Sequence, residues 1–421
     1  MEVFQSLGAK VESLWRADNY NEEVFPSLAA EALKSADMPS KVSVWEIVEW
    51  TLKQNELPRQ KDPAGRFGDP PITIFVAPRF YIDAYIWLNG TTAIHQHGFC
   101  GAFQVLLGSS IHSWYEFEPR EKISSMLELG HMRLKLCELL KVGDVQPIRA
   151  GRQYIHALFH LDQPSVSLVI RTDKSPLYLP QFSYHKPTIA VDPFYEHETT
   201  SRKMQTIGAL FQIKHPDADR MISELLSESD FHTSYLIMQT VNDWVGSDKI
   251  GHLFGIEDSN DQLGRFLDIV RSRHGDKADE IAAALRDATL SAELIRRRAV
   301  VSDPEQRFFL ALLLNVEGRE NVCRLISQRF PDDDPIDKIL DWTFDLAQTR
   351  VVGMHIPNAL GIADFDAFDL QILEYLLRGE RDMVGKLSAE LPSETESSLT
   401  EKVDRSTAKL RSSVVLGPLL T

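Results

Sequence analysis

The sequence predicts an α+β protein with N-terminal helices, an antiparallel β-barrel or jelly roll in the middle, and an all-helical C-terminal domain. Three observations predict it. Apolar residues recur at helical spacing in the first part of the chain. Short apolar runs broken by Gly, Pro, Asn or Ser then fill residues 70–192, and helical spacing returns afterwards and persists. A chain of 421 residues is long enough for several cores, and the changes of period place boundaries at 1–69, 70–192 and 193–421.

Residues 1–57 read as helices and turns. Val42, Val44, Trp45, Ile47, Val48, Trp50 and Leu52 form a broad apolar face, on which both tryptophans are expected in the core. Pro58, Pro63, Gly65, Gly68, Pro70 and Pro71 then mark a loop. Strand-type runs follow at 72–76, 81–88, 103–107, 111–117, 132–139 and 166–171, with Met132 to Leu136 alternating apolar and basic. Many short strands with turns between them suggest a closed or two-layered β-structure. Beyond residue 200, helical patterns recur, beginning with Pro216 and the face Met221, Ile222, Leu225 and Leu226. Phe330 to Pro335 reads as a capping loop, and Ser393 to Ser398 as a flexible polar segment.

Composition excludes several functions. The hydrophobic fraction of 43% and charged fraction of 25% are ordinary for a soluble protein. A formal charge of −16 argues against nucleic acid or an anionic membrane as a partner. The three cysteines, Cys100, Cys137 and Cys323, form no CxxC pair, so neither a disulfide scaffold nor a thiolate metal site is expected. No secretory pattern and no apolar run of membrane-spanning length is visible, so the expected location is cytoplasmic.

The chemistry concentrates around His95-Gln96-His97. Two histidines two apart on a strand project from one face, with Gln96 on the other, which is a natural start for a metal site. His156, closing the Gly-framed stretch Gly143 to His156, is the candidate third ligand. Gln96, Asp83 and Glu116 are candidate partners for the ligands' second nitrogens. His160 is a pocket candidate four residues beyond His156, His112 reads as structural, and Tyr85 and Tyr154 are candidate pocket hydroxyls. In the helical domain His215, His232, His252, His274 and His355 lack ligand spacing.

Gly90 with His95-Gln-His97, and Gly143-x5-Arg149-Ala-Gly151-x4-His156, resemble the two sequence motifs of the cupin superfamily. The Glu of its first motif falls on Gly101 or Ala102 here, and a three-histidine set without carboxylate is the variant found in thiol dioxygenases. The stretch His97-Gly-Phe-Cys-Gly-Ala-Phe-Gln-Val-Leu-Leu-Gly108 is similar to the bacterial cysteine and mercaptopropionate dioxygenases, as are Gly143-Asp-Val and Pro164-Ser-Val-Ser-Leu. The resemblance spans about 120 residues and leaves both flanks unexplained. It implies a mononuclear Fe(II) enzyme, with Arg79 matching the family's carboxylate-binding arginine. The family's His and Tyr on the last strand are replaced by Val169 and Arg171, which puts cysteine itself as substrate in doubt and brings a new cation.

Arg79, Tyr154 and His160 are therefore the expected substrate-binding or catalytic residues, and His95, His97 and His156 the metal ligands. Fe(II) is the expected metal, with Zn(II) or another divalent ion as the alternative. The expected activity is dioxygenation of a small carboxylate-bearing amine or thiol, with dioxygen as co-substrate. A non-redox metal-dependent isomerase, decarboxylase or hydrolase, and a non-catalytic sensor whose helical domain binds a protein partner, stay open as alternatives. The helical domain is also a candidate for homo-oligomer assembly.

Overall fold

A computed structural model describes residues 1–65, 67–88, 92–195, 197–247, 259–351, 356 and 358–420. Two compact units emerge, Met1–Tyr195 and Glu196–Thr421. Every named strand lies in the first, and the second is helical.

The first unit begins with helices α1 (Glu2–Ala17), α2 (Phe25–Ala36), the single turn α3 (Met38–Lys41) and α4 (Val44–Lys53). Phe4, Leu7, Val11 and Trp15 of α1 recur at helical spacing and are buried. Helix α4 starts at a capping box, in which the Ser43 hydroxyl and the Glu46 carboxylate each accept from backbone N–H groups. That start turns Val44 and Ile47 inward. Trp45, expected in the core, is instead 62% exposed, because it sits between the two buried positions and points off their face. Trp50 packs partly against the core as expected.

Eleven strands follow: β1 (Pro71–Val76), β2 (Phe80–Trp87), β3 (Ile94–His97), β4 (Gly101–Leu107), β5 (Ser110–Lys122), β6 (Leu127–Leu140), β7 (Val145–Ile148), β8 (Gly151–His160), β9 (Ser165–Thr172), β10 (Ser183–His185) and β11 (Ile189–Val191). One sheet runs β1-β2-β9-β4-β7, and β10-β11-β6-β5-β8-β3 closes into a barrel. All the strand pairs are antiparallel. Strands β10 and β11 carry only three residues each and escape the periodicity reading.

Strand β9 shows how the layers are built. Val166, Leu168 and Ile170 join the core made by α1, α2, Ile74, Phe80 and Ile82. Val169, of opposite parity, joins Tyr85, Trp87, Phe103, Tyr154 and Leu158 in the space between the sheets. Both faces of the strand are thus covered, which is why its sequence reads as a nearly continuous apolar run. The N-terminal helices are the cover of the five-stranded sheet's outer face.

The second unit is built of helices between Glu198 and Arg411. Asp303, Asp334 and Asp366 cap three of them by accepting backbone N–H bonds, so the Phe330–Pro335 loop does cap the helix that follows it. The segment from Ser393, expected to be flexible, instead leads into helix Glu396–Arg411, with the Thr395 hydroxyl as its cap. Met221 is partly exposed, while Ile222 and Leu226 are buried. His252 and His355 lie outside the described residues. No helix among the described residues is long and apolar enough to cross a membrane.

Leu168 is fully buried between sheet and helices. Leu168→Ala is expected to destabilise the first unit by about 2–5 kcal/mol, from lost transfer energy and the cavity left behind. Denaturant unfolding of the full-length variant, followed by near-UV circular dichroism, checks this.

Candidate metal centre

The site depends on one strand pair. In the ladder between β3 and β8, His95 stands directly opposite His156, and His97 opposite Gly151, with an irregularity between. Gly151 has φ +77°, a left-handed conformation that glycine adopts without strain, at the point where β8 begins. The result is a buried group of His95, His97 and His156 whose ligand atoms all lie within 4.8 Å of one another.

Local hydrogen bonds fix which nitrogens converge. His95 Nδ1 lies 2.7 Å from the Ala93 carbonyl and donates to it, which leaves Nε2 as the basic atom. That Nε2 is buried and has no hydrogen-bond partner among the described residues. His156 Nδ1 lies 2.8 Å from His112 Nε2, and His156 Nε2 lies 2.8 Å from His97 Nε2. Two ligands at the ~2.1 Å bond lengths of imidazole on a divalent metal stand about 3 Å apart along an octahedral edge, so this spacing suits one ion. Burial lowers the pKa of all three, with neighbouring histidines adding to the effect at His97 and His156. The imidazoles are therefore neutral, as metal ligation requires.

The expected partners for the second nitrogens are corrected by this geometry. Gln96 turns to the other face, where it accepts from the Tyr184 hydroxyl and donates to the Pro180 carbonyl. Glu116 is paired with Arg133 on the surface. Asp83 accepts from the Tyr85 hydroxyl at 3.0 Å. The Ala93 carbonyl and His112 take the places given to them. His112, read from sequence as structural, sets its Nε2 2.8 Å from His156 Nδ1, a contact that spacing does not reveal. It lies on β5 in the strand pair β5–β8, and no local motif flags it.

The remaining candidates divide. The Tyr154 ring lies 4.7 Å from the His156 ring and 6.1 Å from that of His97, with the residue buried. His160 shares the face of β8 but stands two residue pairs further on. Its Nδ1 meets the Ser165 hydroxyl at 3.1 Å and its ring stacks on Trp87, outside the ligand group. Arg79 does not face the histidines. It is exposed beside the turn joining β1 and β2, with its guanidinium 4.5 Å over the Tyr20 ring. The tight β1–β2 turn puts it at the end of the ladder, where the nearest surface is the N-terminal helical layer.

Arg171 is the cation that does reach the site. Its guanidinium lies 3.2 Å from the centroid of Phe99, whose ring is 4.4 Å from that of His97. Phe67, half-exposed on the loop before β1, meets Tyr85, Trp87 and His95 edge-on. Gly101 and Ala102 supply no carboxylate, and the backbone gives a reason. A Cβ at Gly101 would collide with the Ile170 carbonyl oxygen, while Ala102 packs in the core shared with the helices. Cys100 is a packed thiol in that same core, its pKa raised to about 11 by burial.

Replacing His95, His97 or His156 by Ala is expected to remove most bound metal, read by elemental analysis, and full occupancy in His156→Ala would end the assignment. His112→Phe is expected to weaken metal affinity on the order of 10–100-fold, because His156 then loses the partner that fixes its tautomer. Burial moves the His160 pKa from 6.5 to about 3. The unfolded chain takes up that proton near 6.5 and the folded chain only near 3. The stability that the neutral form confers is therefore present above 6.5 and is lost as pH falls through this interval. The thermal midpoint of metal-free protein should drop between about pH 7 and about pH 4, and His160→Leu should flatten that dependence.

No family model matches the chain, and no curated protein matches its sequence. Solved structures overlap with it in part. The DMSP lyase DddQ from Ruegeria pomeroyi DSS-3 is 15% identical, over 42% of this chain and 93% of that one, with a TM-score of 0.22. A cupin-2 domain protein from Shewanella frigidimarina NCIMB 400 is 14% identical over 32% and 99%, with a TM-score of 0.19. A structure of the DMSP lyases RdDddP and RnDddQII is 15% identical over 23% of this chain, with a TM-score of 0.16, and the chain covers only 40% of its length. Overlaps this partial say nothing about what the chain does. On its own geometry, the first unit is an antiparallel sheet and closed barrel in which an HxH strand pairs with a third histidine to form a candidate three-histidine metal centre.

Proposed function

We propose that the protein is a mononuclear non-haem Fe(II) dioxygenase acting on a small carboxylate-bearing amine or thiol. The observation that carries this reading is the convergence of three buried, neutral imidazoles with no carboxylate among them. That is the ligand set of the thiol dioxygenases the sequence resembles. His95, His97 and His156 would hold an Fe(II) ion, which would supply the redox chemistry of dioxygen activation.

The chain's own residues do the rest. Tyr85, Trp87, Phe99 and Phe103 are buried and form an apolar wall that excludes water from the histidines. Tyr154 lies beside His156, and burial raises its pKa, so its hydroxyl keeps its proton and serves as a donor toward a bound substrate. His112 holds His156 in the tautomer that presents Nε2.

Anaerobically purified protein is expected to carry about one iron per chain, and to consume dioxygen when given a panel of small carboxylated thiols and amines. Zinc at full occupancy with no dioxygen uptake across the panel would replace this reading with a non-redox one. Tyr154→Phe is expected to retain its iron while kcat falls roughly tenfold, the loss of about one hydrogen bond. Stopped-time oxygen-electrode assays on iron-matched samples measure it.

A further inference from the structure

We propose that Arg171, with Lys174 beside it, is the receptor for the substrate's carboxylate, at a position set by β9 and not by the β1–β2 turn. The inference rests on the reading of the three histidines as a metal centre, since it concerns what is bound next to them.

Arg171 lies in the middle of the five-stranded sheet, its Cα opposite Tyr81 on one side and Gly101 on the other. It has the parity of Val169, so its side chain enters the space between the sheets, where Phe99 separates it from His97. The guanidinium is already partly committed. Its Nη1 donates to the Tyr85 hydroxyl at 3.3 Å, and its Cζ lies 3.2 Å over the Phe99 ring. Tyr85 in turn donates to Asp83. The opposite edge of the fork, Nε with Nη2, is the edge that takes a carboxylate bidentately. Nε is buried and meets no acceptor among the described residues.

A buried guanidinium N–H without an acceptor is costly, and native structures rarely keep one unless the acceptor comes from outside the chain. The obvious internal acceptor is Asp83, whose Oδ2 takes the Tyr85 hydroxyl; its Oδ1 meets no donor, yet Arg171 makes no hydrogen bond or ion pair with it among the described residues. Lys174 adds a second cation. It is exposed, with its ammonium 3.6 Å over the Phe194 ring. Burial and then the charge of Arg171 lower its pKa, while Asp192 opposes them, so the two cations stand within each other's field. Asp83 and Asp192 face these two cations in turn, so the case for an anion rests on the unpartnered Arg171 Nε and not on net local charge. Contact with Phe99 and the hydrogen bond to Tyr85 hold the guanidinium in place next to the ring that neighbours His97.

The test uses malonate as the anionic probe and malonamide as its neutral counterpart, titrated calorimetrically into full-length protein, metal-loaded and metal-free. Wild type, Arg171→Gln and Arg171→Lys are compared after metal analysis and a circular-dichroism melt. Malonate is expected to bind metal-loaded wild type at least tenfold more tightly than Arg171→Gln at equal metal content. Arg171→Lys should fall between them, and malonamide should not discriminate among the three. Equal malonate affinity in wild type and Arg171→Gln, as when the probe binds the metal alone, overturns the proposal. So does failure of wild type to bind malonate. If wild type holds no metal, the metal reading falls by that measurement, and the metal-free titrations decide the role of Arg171 by the same comparison. Arg171→Lys, which keeps the charge, guards against misreading a folding defect in the glutamine variant.

Discussion

The alignment of His95 with His156 across the β3–β8 ladder is the constraint on which the site depends. Cross-strand neighbours lie within reach of one another only in one register, and a slip of one residue would turn every side chain of the strand to the opposite face. Several pairings guard that register. On its other edge β3 meets β10, where Ser183 stands opposite His95. Strand β8 is held on its other side by β5, with Trp114 opposite His156 and His112 opposite Leu158. Closure of the barrel leaves neither β3 nor β8 a free edge along which to slide.

The same constraint explains how the five-stranded sheet and the N-terminal helices contribute to a site they do not ligate. Strand β9 must present Val169 and Arg171 to the histidines while Leu168 and Ile170 stay dry on the reverse face. Only a cover on that reverse face makes this arrangement stable, and α1 and α2 provide it through Phe4, Leu7, Val11, Phe25 and Leu33. Gly101 lets β4 approach β9 closely enough to complete the sheet, and the same absence of a side chain removes a carboxylate position from the metal group. Packing and ligand choice are here decided by one residue.

Much of this was legible in the sequence because it lies in local periodicity. On a strand the HxH spacing places two imidazoles on one face, and the Gly-framed stretch ending at His156 marks the third. The order of helices, strands and helices follows from the period of apolar residues. What was not legible belongs to pairing and to loop geometry. Arg79 stands just before one strand-type run and Arg171 at the end of another, and only the turn between β1 and β2 sends the first to Tyr20 while the ladder carries the second inward. His112 gains its role from a strand partner far away in sequence. Trp45 failed for a different reason: a run of apolar residues on both sides of a short helix does not reveal which side is covered until the Ser43 cap fixes where the helix begins.

The polar groups left over between the sheets say what kind of space this is. Trp87 Nε1, His95 Nε2, His97 Nδ1, His112 Nδ1, His160 Nε2 and Arg171 Nε are all buried and meet no partner among the described residues. Each such group costs about 1–3 kcal/mol in a folded chain, and a core selected for stability alone would have apolar residues in those places. Their concentration between the sheets is what a fold that binds partners from outside the chain would leave in the unbound state. A metal would satisfy His95 Nε2 directly, and an anion would satisfy Arg171 Nε. Occupation of the site and stability of the first unit are thus linked: whatever binds the folded chain and not the unfolded one raises its stability with ligand concentration. The aromatic wall is part of the same linkage, because in a dry space each of these polar interactions is stronger than it would be in water.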